Sequence, residues 1–427
     1  FDNVANIKLI DETVVIEIGG GIDLDVGGVV LASGNFTLNT KTQALNDGVI
    51  DITSAEVLIF TLSDVDFFGG VGGQFLNGGT ASNGVKDAID PAVGTGFYLT
   101  GGDLELVIVK DAADATGNRI WSAVSVNVAE ATLIGLPSNF EFEITNLVFG
   151  TNNASAEAAP TKLDWTSLAG QLGNDLPTNI AEFDAGYGIE FGASLYLKID
   201  TDKVLVAGRV EGEIRQSSIE TTTVDITDAD TFSFQLIDGF MFAGTGGALT
   251  TDVAGDFDGY GLNGTGFGAA AVSMELISVS GGTVTTGGAT GDTWTAYRIE
   301  AASAEVLGLD GITLKAYDFI VAGNTVTDAA VTAALPVKIN WTELSDLFVG
   351  MTLTSSTQGI DDAVVFDLGG AVEVDIAGYV LGLGTFSLDI SDHANLDDGN
   401  GITITTAQSL TITLRNVNLF AGVGGTF

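Results

Sequence analysis

The sequence predicts an all-β protein, elongated and built from a tandem repeat of about 175 residues. The composition is the first observation: 58 glycines and only 5 prolines accompany many threonines, valines and isoleucines, which favours strands and tight turns over helices. The second is the alternation of apolar and polar residues along most of the chain. The third is the recurrence of motifs at constant spacing. These observations indicate a continuous β-solenoid-like or twisted antiparallel sheet, with tandem β-sandwiches as the alternative.

The repeat is visible in tryptophan and glycine motifs. KLDWTSL around Trp165 recurs as KINWTEL around Trp341 (341 − 165 = 176 residues), and Trp121 recurs as Trp294. The string FFGGVGGQF ends at Phe75 and returns in phase as MFAGTGGAL and LFAGVGGTF. All four tryptophans fall into two in-phase pairs, which random placement would rarely give.

The period divides the chain into two complete units and a partial third, residues 1–160, 161–336 and 337–427. We expect the joins near GTNNASAEAAPT and GNTVTDAAVTAA, the most polar and alanine-rich spacers. The chain begins at Phe1 without an initiator methionine and ends at the GVGG turn. We therefore expect an interior or processed segment that is part of an open-ended assembly.

The local patterns are almost wholly those of strands. VVIEIGGGIDLDV, DLELVIV and FEFEITNLVF alternate with period two, as in an antiparallel sheet with one buried face. Gly27, Gly28 and Gly378 interrupt long runs and predict bulges or bends rather than loop ends. Short helices are predicted only at residues 164–172 and 340–348, where the first residue of each is a capping Asp or Asn.

Charge and cysteine content exclude several classes of function. The chain carries 14 Lys and Arg against 56 Asp and Glu, a formal net charge of −42, which repels nucleic acid and anionic membrane surfaces. No stretch approaches the roughly 20 apolar residues of a membrane helix. The chain has no cysteine, which excludes disulfides, thiol catalysis and Cys-ligated metal sites. We expect an extracellular or cell-surface location.

Catalytic motifs are missing from the sequence. His393 is the single histidine, so a Ser-His-Asp triad would need it as the base, yet its place in SDHANLDDGNG predicts a solvated loop residue. No HExxH, GxSxG, Walker or CxxC pattern occurs. We therefore expect a protein that is not an enzyme, with a secreted hydrolase as the least favoured alternative.

Acidic, glycine-rich loops are candidate calcium sites. LNDG at residues 45–48 is in phase with LDDG at 396–399, and DVAGDFDGYGLNGTG is a second loop of this kind. Such loops bring together the oxygen ligands that hard divalent cations prefer. The alternative is that Asn-Asp-Gly serves only as hairpin-turn chemistry. The candidate ligands are Asp47, Asp397, Asp398, Asn400, Asp252, Asp256 and Asp258.

The recurrent aromatic residues have two interpretations. The tryptophans fit core anchors, which bury a large apolar area, or platforms on which sugar rings stack. We favour the core. The phased residues Phe68, Phe242 and Phe420 each precede a glycine-rich turn, and we expect them to fill the ends of the apolar layer.

The order of motifs within a unit resembles that of a bacterial repeat family. A GxxLxxGxFxL-type strand precedes AEVLxFxLxxVxxFxGVGG, then a GxGFxLxxxxLxLxI strand and a Trp-bearing strand. This order is similar to repeats of very large bacterial secreted or surface proteins, including those that carry an LEPR-XLL signature, which is absent here. The resemblance implies an extracellular giant repeat protein. Family members have an insert rich in DxDxDG after the GVGG turn, whereas this chain has NGGTASNGVKDAID and DVAGDFDGYG.

Two functions remain open from the sequence. The first is a non-catalytic structural or adhesive component of a bacterial extracellular or cell-surface fibre. Its partners would be copies of itself or further repeats of the same chain in a linear assembly, with surface glycans as a further candidate and without nucleic acid or a membrane span. The alternative is a carbohydrate- or ligand-binding repeat module of a secreted adhesin, which would use Trp121, Trp294 and the acidic loops.

Overall fold

The structure is a computed structural model whose backbone contacts divide the chain into two units, residues 1–193 (unit 1) and 194–427 (unit 2). The described residues are 14–76, 88–114, 119–135, 140–155, 161–199, 203–251, 257–261, 264–289, 291–327, 337–344, 360–393, 396–397, 399, 402–405 and 407–426. In this part of the chain, no helix is long and apolar enough to span a membrane.

Unit 1 contains six long strands that are antiparallel neighbours in chain order. They are β1 (Val14–Val26), β2 (Val30–Asn46), β3 (Asp51–Val71), β4 (Thr95–Asp111), β5 (Ile120–Ile134) and β6 (Phe140–Ser155). A short helix, α1 (Trp165–Leu172), and two 3₁₀ turns, Gly173–Asp175 and Ile180–Glu182, follow the strands. Strand β7 (Tyr187–Ile199) crosses from unit 1 into unit 2.

Unit 2 continues the same kind of architecture. Its long strands are β8 (Val204–Glu220), β9 (Asp225–Thr245), β12 (Thr265–Ser280), β14 (Thr293–Leu307), β15 (Ile312–Thr327), β16 (Val364–Ile376), β17 (Val380–His393) and β20 (Ala407–Ala421), and they neighbour each other in that order. β13 (Thr283–Thr286) pairs with β9, and two small hairpins join β10 (Ala248–Thr251) to β11 (Phe257–Gly261) and β18 (Leu396–Asp397) to β19 (Thr403–Ile404). A 3₁₀ turn spans Trp341–Glu343.

The strands recur with the predicted period. β1, β7 and β16 have 13 residues each, β3 and β9 have 21, β5 and β14 have 15, and β6 and β15 have 16. Six long strands and a helical segment therefore make one structural repeat. The prediction of an all-β repeat is confirmed, and within each unit the long strands form the antiparallel sheet rather than a solenoid.

One repeat passes to the next by strand pairing inside unit 2. β15 closes the second repeat and β16 opens the third, and the two strands pair from Ile312↔Ile376 to Gly323↔Phe366. The predicted joins are described only in part: residues 150–155 and 323–327 are the ends of β6 and β15, and residues 156–160 and 328–336 lie outside the described residues. The helical segment after the first join packs on the preceding strands, within unit 1. At the described junction, a continuous sheet replaces the separate sandwiches of the alternative prediction.

One apolar core of each unit lies where the helical segment covers the sheet. α1 buries Trp165, Leu168 and Leu172, whose i, i+3, i+7 spacing places them on one side of the helix. They pack with alternate residues of β2 to β5, and each fully buried large aliphatic side chain contributes about 1.5–3 kcal/mol. In unit 2 the corresponding core contains Ile219, Val224, Ile226, Ala229, Ile277, Val279, Trp294, Ala296, Ala322, Ile339, Trp341 and Ile360.

The predicted caps hold both helical segments. Asp164 accepts hydrogen bonds from the backbone N–H groups of Thr166 (3.0 Å) and Ser167 (3.2 Å) at the start of α1. Asn340 accepts from the backbone N–H of Thr342 at 3.2 Å. The prediction of a helix at 164–172 is confirmed. At 340–348 the described residues form one 3₁₀ turn, and residues 345–348 lie outside them.

A second small core explains the glycine-rich motif. Phe68 is fully buried with Leu31, Phe75 and Ile89. A Cβ on Gly73 would lie 2.4 Å from the Phe68 ring, so the motif needs glycine where the ring passes under the turn. The same approach recurs between Phe242 and Gly247 (2.4 Å) and between Phe420 and Gly425 (2.5 Å). The prediction that these Phe residues fill the ends of the apolar layer is confirmed for Phe68 and Phe242, whereas Phe420 is 39% exposed.

The long strands contain β-bulges at positions that the sequence did not predict. Asp64, Asn146, Asp238, Asp318 and Asn416 have φ between 49° and 53°, near register shifts or skipped pairs in the middle of long strands. These are bulge positions, where Asn and Asp tolerate left-handed backbone. The prediction of bulges at Gly27, Gly28 and Gly378 is wrong. These glycines have positive φ in the tight turns that join β1 to β2 and β16 to β17.

Candidate functional site

The most completely built polar site of unit 1 is centred on Asn152 of β6. Asn152 is fully buried, and its Nδ2 donates to the backbone carbonyls of Leu163 and Asp184, both at 2.9 Å. Its Oδ1 accepts the indole N–H of Trp165 at 3.0 Å. We call these four residues the Asn–Trp clamp. The clamp satisfies every strong hydrogen-bonding atom of the Asn152 side chain, and it joins β6 to the chain before and after the helical segment.

Unit 2 contains a second Asn–Trp clamp with the same partners. Asn324 of β15 donates from Nδ2 to the carbonyls of Ile339 (2.9 Å) and Asp361 (2.8 Å). It accepts the indole N–H of Trp341 at 3.1 Å. Both Asn side chains are buried, and their amide N and O atoms are all bonded to the protein itself. The two matching networks therefore indicate a structural role, which is to hold the helical segment to the last strand of the repeat.

The other in-phase tryptophans are also core residues. Trp121 is 5% exposed and donates its indole N–H to the carbonyl of Thr161 at 3.0 Å. Trp294 is fully buried and donates to the carbonyl of Val337 at 2.9 Å. The interpretation of the tryptophans as core anchors is confirmed, and neither ring offers the exposed face on which a sugar would stack.

Asp47, a candidate calcium ligand, lies in the turn between β2 and β3. Its Oδ1 accepts the backbone N–H groups of Val49 (2.8 Å) and Ile50 (2.6 Å), and its Oδ2 accepts the backbone N–H of Asp164 (3.1 Å). The carboxylate thus orders the turn and connects it to the start of α1. Turn chemistry accounts for this residue without a metal ion.

The remaining candidate calcium ligands are only partly described. Asp258 belongs to β11 and Asp397 to β18. Asp252, Asp256, Asp398 and Asn400 lie outside the described residues. Within the described ranges, no three acidic or histidine side chains converge in a group that could hold a metal ion. Calcium binding stays a prediction.

His393 is the last residue of β17, and its position corrects the sequence expectation of a loop. It pairs with Ala407 of β20, is half-buried, and has Nε2 2.7 Å from the Ser409 hydroxyl oxygen. A Ser-His pair is two-thirds of a hydrolytic triad, but the described contacts of His393 include no carboxylate to orient the ring. The pair is a cross-strand contact of the sheet.

Among the described residues, two edge strands carry several exposed apolar side chains each. In the described part of unit 1, β1 pairs only with β2, and its Val15, Ile18 and Leu24 are 63%, 50% and 47% exposed. In the described part of unit 2, β20 pairs only with β17, and Leu414 and Leu419 are 69% and 76% exposed. An unpaired strand edge with apolar side chains is a template for another strand.

Comparison with known proteins gives no independent indication of the family. No protein-family model, no curated protein and no solved structure matches it. The resemblance to giant bacterial repeat proteins therefore stays a prediction that rests on motif order.

Proposed function

We propose that the chain is a non-catalytic structural component of a linear extracellular or cell-surface assembly that grows by strand pairing between repeats. The observation that carries this proposal is the β15–β16 ladder, in which the first strand of the third repeat extends the sheet of the second. A contact of this kind is heterologous, because it joins the end of one repeat to the start of the next. Heterologous contacts propagate into a filament unless rotation closes a ring.

The net negative charge supports the proposal of a component that is extended and exposed to solvent. A net charge of −42 keeps chains apart in solution and resists bundling until cations screen it. We infer that calcium binds to the acidic loops of this assembly. We also infer that adhesion to other surfaces uses the polar side chains on the solvent-exposed face of the strands. A carbohydrate-binding module is less favoured, because Trp121 and Trp294, the aromatic platforms it would use, are buried.

Electron microscopy and light scattering of the native material test this function. We expect filaments in which each repeat of six long strands advances by about 29 Å, at about 4.8 Å per strand. Protein and calcium concentrations are both varied, so that a filament that forms only above a threshold concentration is detected. Compact, monodisperse monomers under every condition would overturn the proposal.

A further inference from the structure

We propose that the outer edge of β1 is a binding site for an antiparallel strand of the β15 sequence type. The inference rests on the proposed function, because it names the strand that would extend the assembly at this edge. It goes further by specifying both the partner and its register.

β1 and β16 are equivalent strands at equivalent positions of the repeat. VVIEIGGGIDLDV in β1 corresponds residue by residue to VVFDLGGAVEVDI in β16. Their inner ladders match as well: β1 pairs with β2 from Gly19↔Thr37 to Val26↔Val30, and β16 pairs with β17 from Gly369↔Ser387 to Ile376↔Val380. The register irregularity at the first residue is also shared. A strand that fits the outer edge of β16 therefore fits that of β1.

The strand on the outer edge of β16 is β15. Val321 lies opposite Leu368, Leu314 opposite Val374, and Lys315 opposite Glu373. Because the two edges are equivalent, a β15-type strand on β1 would place its Val321 position opposite Ile18. The Leu314 position would then lie opposite Leu24.

The apolar side chains of β16, which pairs with β15, are less exposed than the equivalent side chains of β1. Leu368 and Val374 of β16 are half-buried, whereas the equivalent Ile18 and Leu24 of β1 are 50% and 47% exposed. Pairing with a β15-type strand would remove this apolar surface from water and satisfy the backbone groups of the β1 edge.

An acidic side chain gives an independent indication of the missing partner. Glu373 of β16 accepts a hydrogen bond from the Tyr317 hydroxyl of β15 at 3.1 Å. The equivalent acid of β1 is Asp23, whose Oδ1 is buried and has no hydrogen-bond partner among the described residues. The β15 sequence itself carries both the Tyr317 phenol and the Lys315 ammonium to this position.

The partner is a β15-type strand rather than the exposed edge of a second copy. The other open edge in the described residues is β20, which corresponds to β3 and β9. The outer neighbours of those strands are β4 and β12, not β1-type strands. Two copies joined from β20 to β1 would therefore form a ladder that does not occur among the described strands.

Fluorescence anisotropy with a labelled peptide of residues 312–327 tests the assignment on the full chain. We expect saturable binding that Ile18→Lys weakens about tenfold or more, because a charge replaces a buried aliphatic contact. Val49→Lys, at a turn residue that is 83% exposed, is the matched control and should leave binding unchanged. A peptide of residues 120–134, from a strand type that does not neighbour β1, should not bind.

Absence of saturable binding, or equal binding to the chain and to the Ile18→Lys variant, would overturn the assignment. Dimerisation that Ile18→Lys abolishes, without peptide binding, would also overturn it and give the edge to a second copy. Filaments of the native material without peptide binding refute only the edge assignment. Peptide binding by a protein that stays a compact monomer refutes only the proposed function.

Discussion

Trp165 donates its indole N–H to Asn152 Oδ1 at 3.0 Å, and Trp341 makes the equivalent bond to Asn324 at 3.1 Å. The bond joins a helical segment to the last strand of the repeat that precedes it. Each Asn also holds one carbonyl on either side of that segment. In unit 1 the segment is thus fixed over its core at both ends, and in unit 2 the equivalent two bonds hold the chain at Ile339 and Asp361.

Replacing the clamp residue should destabilise unit 1 severely. Asn152→Ala removes the partner of the buried Trp165 indole N–H and of the Leu163 carbonyl, whereas the Asp184 carbonyl keeps its bond from the backbone N–H of Tyr187. We expect a cost of about 2–4 kcal/mol in the free energy of unfolding. Denaturant unfolding followed by tryptophan fluorescence measures the loss. Asn153→Ala removes an exposed amide next in sequence and is the control, with a change of about 0.5 kcal/mol or less. Equal effects of both substitutions would contradict the clamp.

The sequence predicted the anchors of this clamp but not its centre. Trp165 and Trp341 stand out because tryptophan is rare and the strings around them match. Asn152 and Asn324 stand in polar spacers, GTNN and AGNT, which read as loops. Their common phase (324 − 152 = 172 residues) was the available signal. The bulges escaped for a related reason: Asp64 and Asn146 continue an ordinary alternation, and only the backbone reveals their left-handed φ.

Two glycine substitutions should change stability in opposite directions. Gly73→Ala should lower the free energy of unfolding by about 1–3 kcal/mol, because the new Cβ would lie 2.4 Å from the buried Phe68 ring. Gly170→Ala, in α1 and with nothing within 4 Å of the new Cβ, should raise it by about 0.5–1 kcal/mol. Thermal or denaturant unfolding of both variants checks the pair. A stabilised Gly73→Ala variant would refute the close approach of ring and turn.

A pair of facing carboxylates should make unit 2 sensitive to pH. Asp367 of β16 lies opposite Asp389 of β17, whereas the equivalent pair in unit 1 is Glu17 and Asn39. Burial raises the pKa of Asp367 above its ordinary 3.8, the Asp389 carboxylate raises the pKa further, and Arg298 opposes the shift. The folded state therefore favours the protonated form. The resulting penalty is absent below the ordinary pKa, grows as pH rises, and is complete above the raised pKa.

Asp389→Asn should remove part of that penalty, as the natural Asn39 does in β2. We expect the variant to be more stable than the parent at neutral pH by up to about 1 kcal/mol. The difference should disappear as the pH falls below 3.8. Melting curves across acidic and neutral pH measure it. Asp310→Asn removes an exposed charge in a turn and serves as the control. A gain that is independent of pH would contradict the mechanism.

Millimolar calcium should raise the melting temperature through the acidic loops. Binding to the folded form alone stabilises it by about 2.7 kcal/mol at a hundredfold excess over Kd. Sodium and magnesium chloride at matched ionic strength separate coordination from screening. Equal shifts with all three salts would exclude the specific site at Asp397, Asp398 and Asn400.

Cleavage between the second and third repeats tests most directly whether repeats join by strand pairing. A protease site placed within residues 328–336 would leave β15 and β16 on separate fragments, joined by their ladder and by contacts such as Glu343 with the Thr222 hydroxyl at 2.8 Å. The cleaved chain should elute as one species in size-exclusion chromatography and separate only when denaturant unfolds it. Release of residues 337–427 as an independent folded fragment without denaturant would contradict the continuous sheet.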